Sequence, residues 1–124
     1  MISTKSLDLF AGVAVTEYAT AVRWYERLFG SSPAFYPHDT EAVWELAEHR
    51  YLYVVQEPEH AGHAMHTLFV DDIDALVAQI ADRGIEPAQR ESYPNGVAKI
   101  TYRDADGNEV GFGGATRLGI FGED

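Results

Sequence analysis

The chain has 124 residues, no cysteine, and 20 acidic against 9 basic residues, for a formal net charge of −11. Those numbers exclude thiolate nucleophiles, Cys-ligated zinc and disulfide scaffolding, and the negative surface disfavours nucleic acid by repelling its phosphates. No run approaches a membrane span and Met1–Leu7 lacks the apolar stretch of a signal peptide, so a cytoplasmic protein without a membrane partner is expected.

Taken in order, Leu7–Thr16 reads as a strand of small and β-branched residues. Helix one follows from about Tyr18 to Phe29, with Ala21, Val22, Tyr25, Leu28 and Phe29 at helical spacing and Gly30 as its stop. Ser31–Pro37 can supply only a short or edge strand, because Pro33 and Pro37 interrupt a ladder. Ala42–Ala47 and Arg50–Gln56 form a hairpin turning at Glu48-His49, and Glu57–Gly62 is a polar connector. A second strand-helix unit follows: Ala64–Val70, then a helix capped by Asp71-Asp72, with Ile73, Leu76, Val77 and Ile80 on one face. That helix ends near Gly84. Residues 85–94 hold another short strand, and Val97–Gly113 a last hairpin turning at Asp106-Gly107-Asn108.

The order strand, helix, three strands thus occurs twice, and a shift of 55 residues lays Val15 on Val70 and Val22 on Val77. Such a repeat predicts two modules, about 7–57 and 63–114, related by an approximate two-fold within one domain over 1–124, with an acidic tail at 115–124. Neither module can bury its own sheet, so the pair is expected to enclose a cleft.

Three stretches carry a resemblance: Val13-Ala-Val-Thr-Glu17 with Arg23–Gly30, Phe69–Asp74 with Gly84, and Asp104-Ala-Asp-Gly-Asn108. Together they resemble the vicinal oxygen chelate superfamily of lactoylglutathione lyases, extradiol dioxygenases and fosfomycin- and bleomycin-resistance proteins. The resemblance implies an α+β fold of paired βαβββ modules, a curled mixed sheet around a cup-shaped cleft, and a homodimer. It also implies four metal ligands, falling here on Phe10, Met65, Gly111 and a position in Tyr51–Gln56, taken as Val54. A phenyl ring, a thioether and a hydrogen cannot hold a hard divalent ion, so no metal and no cofactor are expected.

Strand parity then selects the cup-facing side chains. Phe10, Gly12 and Ala14 share one face of strand one, Met65, Thr67 and Phe69 one face of its counterpart, and Glu109, Gly111 and Gly113 one face of the last strand. Glycines and an alanine there leave room for an apolar pocket, the alternative being a cup filled by core packing. Trp44, Tyr51, Tyr53 and Tyr102 are candidates to stack on a planar or cationic ligand, against plain cross-strand packing. Glu109 is a candidate charge at the mouth. The expected ligand-binding set is Phe10, Gly12, Trp44, Tyr53, Met65, Thr67, Tyr102, Glu109 and Gly111, with no catalytic residue assigned. His60, His63 and His66 read as polar loop or surface groups.

The function read from this is metal-independent binding of a small hydrophobic or aromatic, potentially cationic, molecule in a resistance or sequestration role. The competing reading is a metal-dependent lyase or dioxygenase with a relocated site drawn from His63, Gln56 or Glu57. A third is an accessory module with a filled cup.

Overall fold

The computed structural model describes residues 7–116. From residue 117 on, the expected acidic tail lies outside the described residues, as does the amino terminus before Leu7.

The first module consists of β1 (Leu9–Val15), α1 (Tyr18–Phe29), β2 (Phe35–His38), β3 (Glu41–Ala47) and β4 (Arg50–Gln56). The second consists of β5 (Met65–Phe69), α2 (Ile73–Asp82), β6 (Gln89–Ser92), β7 (Val97–Arg103) and β8 (Glu109–Ala115). A single 3-10 turn at Pro58–His60 connects them. Each module makes a mixed four-stranded sheet, in the orders β1-β4-β3-β2 and β5-β8-β7-β6. In both, the first and last strands run parallel and the rest antiparallel, so the repeat in sequence is a repeat in topology.

Local chemistry explains the bounds. Gly30 ends α1 by taking φ of 74°, which a side chain would resist. Asp72 caps α2 by accepting the Ala75 amide at 3.0 Å. Glu17 offers α1 no such cap, and Gln56 Oε1 accepts the Tyr18 amide at 3.0 Å from the end of β4 instead. β2 contains Pro37, and its pairing with β3 shifts register between Phe35 and His38, as an edge strand without one amide donor should.

Each sheet packs one face on its helix. Val13, Leu52, Val54 and Trp44 meet Tyr25 and Leu28 of α1, while Ile100, Tyr102, Val110 and Phe112 meet Ile73 and Ile80 of α2, all within a single apolar cluster. The sheets do not close into a barrel, and among the described residues no strand pairing joins them. Side chains do that instead. His66 Nε2 donates to the Gly12 carbonyl at 2.8 Å, and Asn108 Nδ2 to the Ala14 carbonyl at 2.8 Å. The Arg83 guanidinium bonds the Arg27 and Leu28 carbonyls at the end of α1.

Candidate functional site

The face of each sheet turned away from its helix is the candidate surface, and strand register says what stands on it. In the first module the rows are Phe10–Tyr51–Glu45, Gly12–Tyr53–Val43 and Ala14–Val55–Glu41. In the second they are Met65–Glu109–Arg103, Thr67–Gly111–Thr101 and Phe69–Gly113–Lys99.

The first face carries a hollow of about 540 Å³ whose lining includes Gly12, Ala14, Tyr53, Glu41, Glu57 and His60. Gly12 is the reason Tyr53 can lie where it does. A Cβ built on Gly12 would stand 2.5 Å from the Tyr53 hydroxyl oxygen, so the phenol covers the bare backbone. Beside it Phe10 stacks on Tyr51 with ring centroids 4.5 Å apart and planes within 11°. The second face carries a smaller hollow, about 110 Å³, formed by Met65, Thr67, Lys99, Thr101, Glu109 and Gly111. The two hollows share no lining residue, so one chain presents the expected cleft in two parts.

Seven of the nine expected residues therefore stand on the helix-free faces, three on the first and four on the second. Trp44 and Tyr102 do not, and this corrects the sequence expectation. Trp44 pairs in register with Leu52 and packs on Tyr25 and Phe29, its indole N–H held by the Ser31 carbonyl at 2.9 Å. Tyr102 pairs with Val110 and meets Phe112 edge-on, wholly buried, with burial as the main cause raising its pKa. Both sit on the core parity of their strands, which only cross-strand register reveals.

Glu109 is on the expected face, but its carboxylate is bonded by Arg103 Nε at 3.0 Å and Nη2 at 2.9 Å, which neutralises the charge expected at the mouth. The carboxylates of the first hollow are Glu57 and Glu41, the latter 3.8 Å from His38 Nε2, and the sequence reading selects neither. Lys99 and Thr101 were also missed. Their alternation with Arg103 along Val97–Arg103 was the available signal.

The metal that the resemblance implies does not fit. Three of its four positions fall, by that resemblance, on Phe10, Met65 and Gly111, none of which offers a donor to a hard ion. The fourth is not Val54, which is buried in the core. Register makes Tyr53, paired with Gly12, the counterpart of Gly111, paired with Thr67. Nor is the relocated site assembled. Gln56 caps α1, and among the described residues no group of three or more His, Asp or Glu side chains comes together.

Paired βαβββ modules whose helix-free faces form hollows define a vicinal-oxygen-chelate scaffold. The profile of the Glyoxalase/Bleomycin resistance protein/Dioxygenase superfamily matches residues 6–112, and the chain belongs to that superfamily. Among solved structures, a glyoxalase / bleomycin resistance protein from Catenulispora acidiphila DSM 44928 is 56% identical with a TM-score of 0.87, over 89% of this chain and 99% of that one. A bleomycin-binding protein complexed with bleomycin is 17% identical with a TM-score of 0.69, over 86% of this chain and 97% of that one. TnmS3, an antibiotic binding protein from Streptomyces sp. CB03234, is 21% identical with a TM-score of 0.69, over 93% and 99%. The last two share the fold. No curated protein matches the chain. No helix among the described residues is long and apolar enough to cross a membrane.

Proposed function

We propose that the protein binds a small aromatic or otherwise apolar molecule without a metal, in a sequestration role. The observation that carries this is the open hollow over Gly12, which core side chains do not plug and which has Tyr53 on one side and the Glu41 and Glu57 carboxylates on another. Phe10, Tyr51 and Tyr53 offer rings for stacking, and the two carboxylates favour a ligand that carries a cationic group. Structures of the same fold that bind bleomycin or another antibiotic support a binding role for such a hollow.

A second copy of the chain completes the site in this reading. Met65 and Phe69 stand 76% and 73% exposed beside the hollow of the second module, as a surface awaiting cover would. A homodimer would set the first hollow of one copy against the second hollow of its partner.

A thermal-shift screen with aromatic amines, run with and without chelator, tests the reading. At a ligand concentration about a hundredfold above Kd, binding should stabilise the fold by roughly 2.7 kcal/mol, a rise of several degrees in Tm. Chelator should leave that rise unchanged. A rise that chelator abolishes, or no rise with any compound, would overturn it.

A further inference from the structure

The hollow of the second module is built around a missing side chain. A Cβ on Gly111 would stand 3.0 Å from Lys99 Cε and 3.6 Å from both Thr67 Oγ1 and Thr101 Oγ1. Lys99 belongs to the row of Gly113, so its stem leans across into the neighbouring row to cover Gly111. Its ammonium-bearing end and the two hydroxyls therefore converge on one space of about 110 Å³. Thr101 is only 3% exposed, so what its hydroxyl meets is this hollow and little bulk water.

The surrounding charges decide what Lys99 can accept. Glu109 in the same hollow is already held by Arg103. Glu91 is the cross-strand neighbour of Lys99 on β6, yet Lys99 makes no ion pair among the described residues. An ammonium offers three donors and each threonine hydroxyl one more, and nothing else in the hollow is a free anion. In a chain of net charge −11, Lys99 is a cation that no carboxylate among the described residues pairs directly.

We infer that this hollow is a carboxylate-binding subsite. Lys99, Thr67 and Thr101 hold the acid group of a ligand whose apolar body lies along Met65 at the edge of the hollow. The inference rests on the ligand-binding reading above and adds the chemistry of the ligand's acid end. A carboxylate is preferred to its amide because each bond to the ammonium is charge-assisted.

Titration of the 15N-labelled full chain with benzoate, benzamide and benzylammonium, followed by backbone amide signals, tests it. Benzoate should move the signals of Thr67, Thr101 and Gly111 with an affinity about tenfold above that of benzamide. Lys99→Gln, at a half-exposed position with no ion pair among the described residues, should bring benzoate down to the level of benzamide. Equal affinity for benzoate and benzamide, or an unchanged benzoate titration in Lys99→Gln, overturns the subsite. If benzylammonium alone moves Gly12 and Tyr53, the subsite falls and the binding function stands. If no probe moves either face, both fall.

Discussion

Gly12 and Tyr53 show how much a single absent methyl group can decide. The hydroxyl of Tyr53 occupies the volume that a Cβ at position 12 would need, and the hollow beside them takes its shape from that overlap. Gly12→Ala must push the phenol aside. The face is open, so the ring can swing, and the cost to folding should stay below the 1–3 kcal/mol typical of an overpacked core. Affinity for a cationic aromatic probe is expected to fall by roughly tenfold, about 1.4 kcal/mol, with little movement of the urea midpoint. Calorimetric titration alongside urea unfolding separates the two effects, and an unchanged Kd would remove Tyr53 from the ligand's contacts. Parity along each strand was readable at this scale, which is why Phe10, Gly12 and Thr67 were placed on the helix-free faces correctly. Trp44 and Tyr102 were not, because composition makes an aromatic equally suited to either face of a strand.

At the scale of elements, the β7–β8 connection does more than reverse the chain. Asp104 Oδ1 accepts the amides of Asp106 and Asn108 at 3.0 and 2.9 Å, while Oδ2 accepts Asn108 Nδ2 at 2.9 Å and the Tyr25 hydroxyl at 2.8 Å. Asp106 in turn accepts from the Thr16 amide and hydroxyl at 3.0 and 2.5 Å. A loop of the second module thereby fastens β1 and α1 of the first. The sequence marks a turn here, since Gly107 takes φ of 100°, but nothing in it says that the turn's carboxylates reach across the molecule.

That fastening has a pH signature. Burial, and next to it the charge of Asp104, push the Tyr25 hydroxyl well above its ordinary value of 10.0. Unfolded, the phenol ionises near that value, while folded it stays protonated. Its contribution to stability is therefore complete below pH 10 and is lost as pH rises through that point toward the higher folded value. Urea midpoints of the wild type should fall between about pH 8 and about pH 11, and Tyr25→Phe should fall less, Tyr102 supplying part of the remainder. Equal decreases in both proteins would show that Tyr25 is not responsible.

At the scale of the whole molecule, the described residues present several large apolar side chains to solvent. Besides Met65 and Phe69, Leu9 and Phe10 are exposed, and a groove of about 740 Å³ runs between β1, the β3–β4 end and β5. Burying such a surface against a second copy would stabilise it by the usual gain from removing apolar area from water. Sedimentation is expected to give a dimer, and Phe69→Glu to give a monomer that binds aromatic amines at least about tenfold more weakly. A wild-type monomer with full affinity would end the dimer reading.

Much of this architecture is local in origin. Helix α1 over Tyr18–Phe29, the hairpin turning at residues 48–49 and the doubled strand-helix-strand order follow from periodicity, glycine stops and turn residues within a few positions of one another. The glycines that open the two hollows are equally visible, because an absent side chain needs no partner to be recognised. Tertiary structure alone decided which further residues close around that space. Lys99 leaning over Gly111, Glu41 and Glu57 meeting at the first hollow, and Arg103 neutralising Glu109 all bring together residues on different strands or segments. Register and side-chain reach are set by packing between segments far apart in the chain, and a one-residue change in register would turn each of those groups to the opposite face.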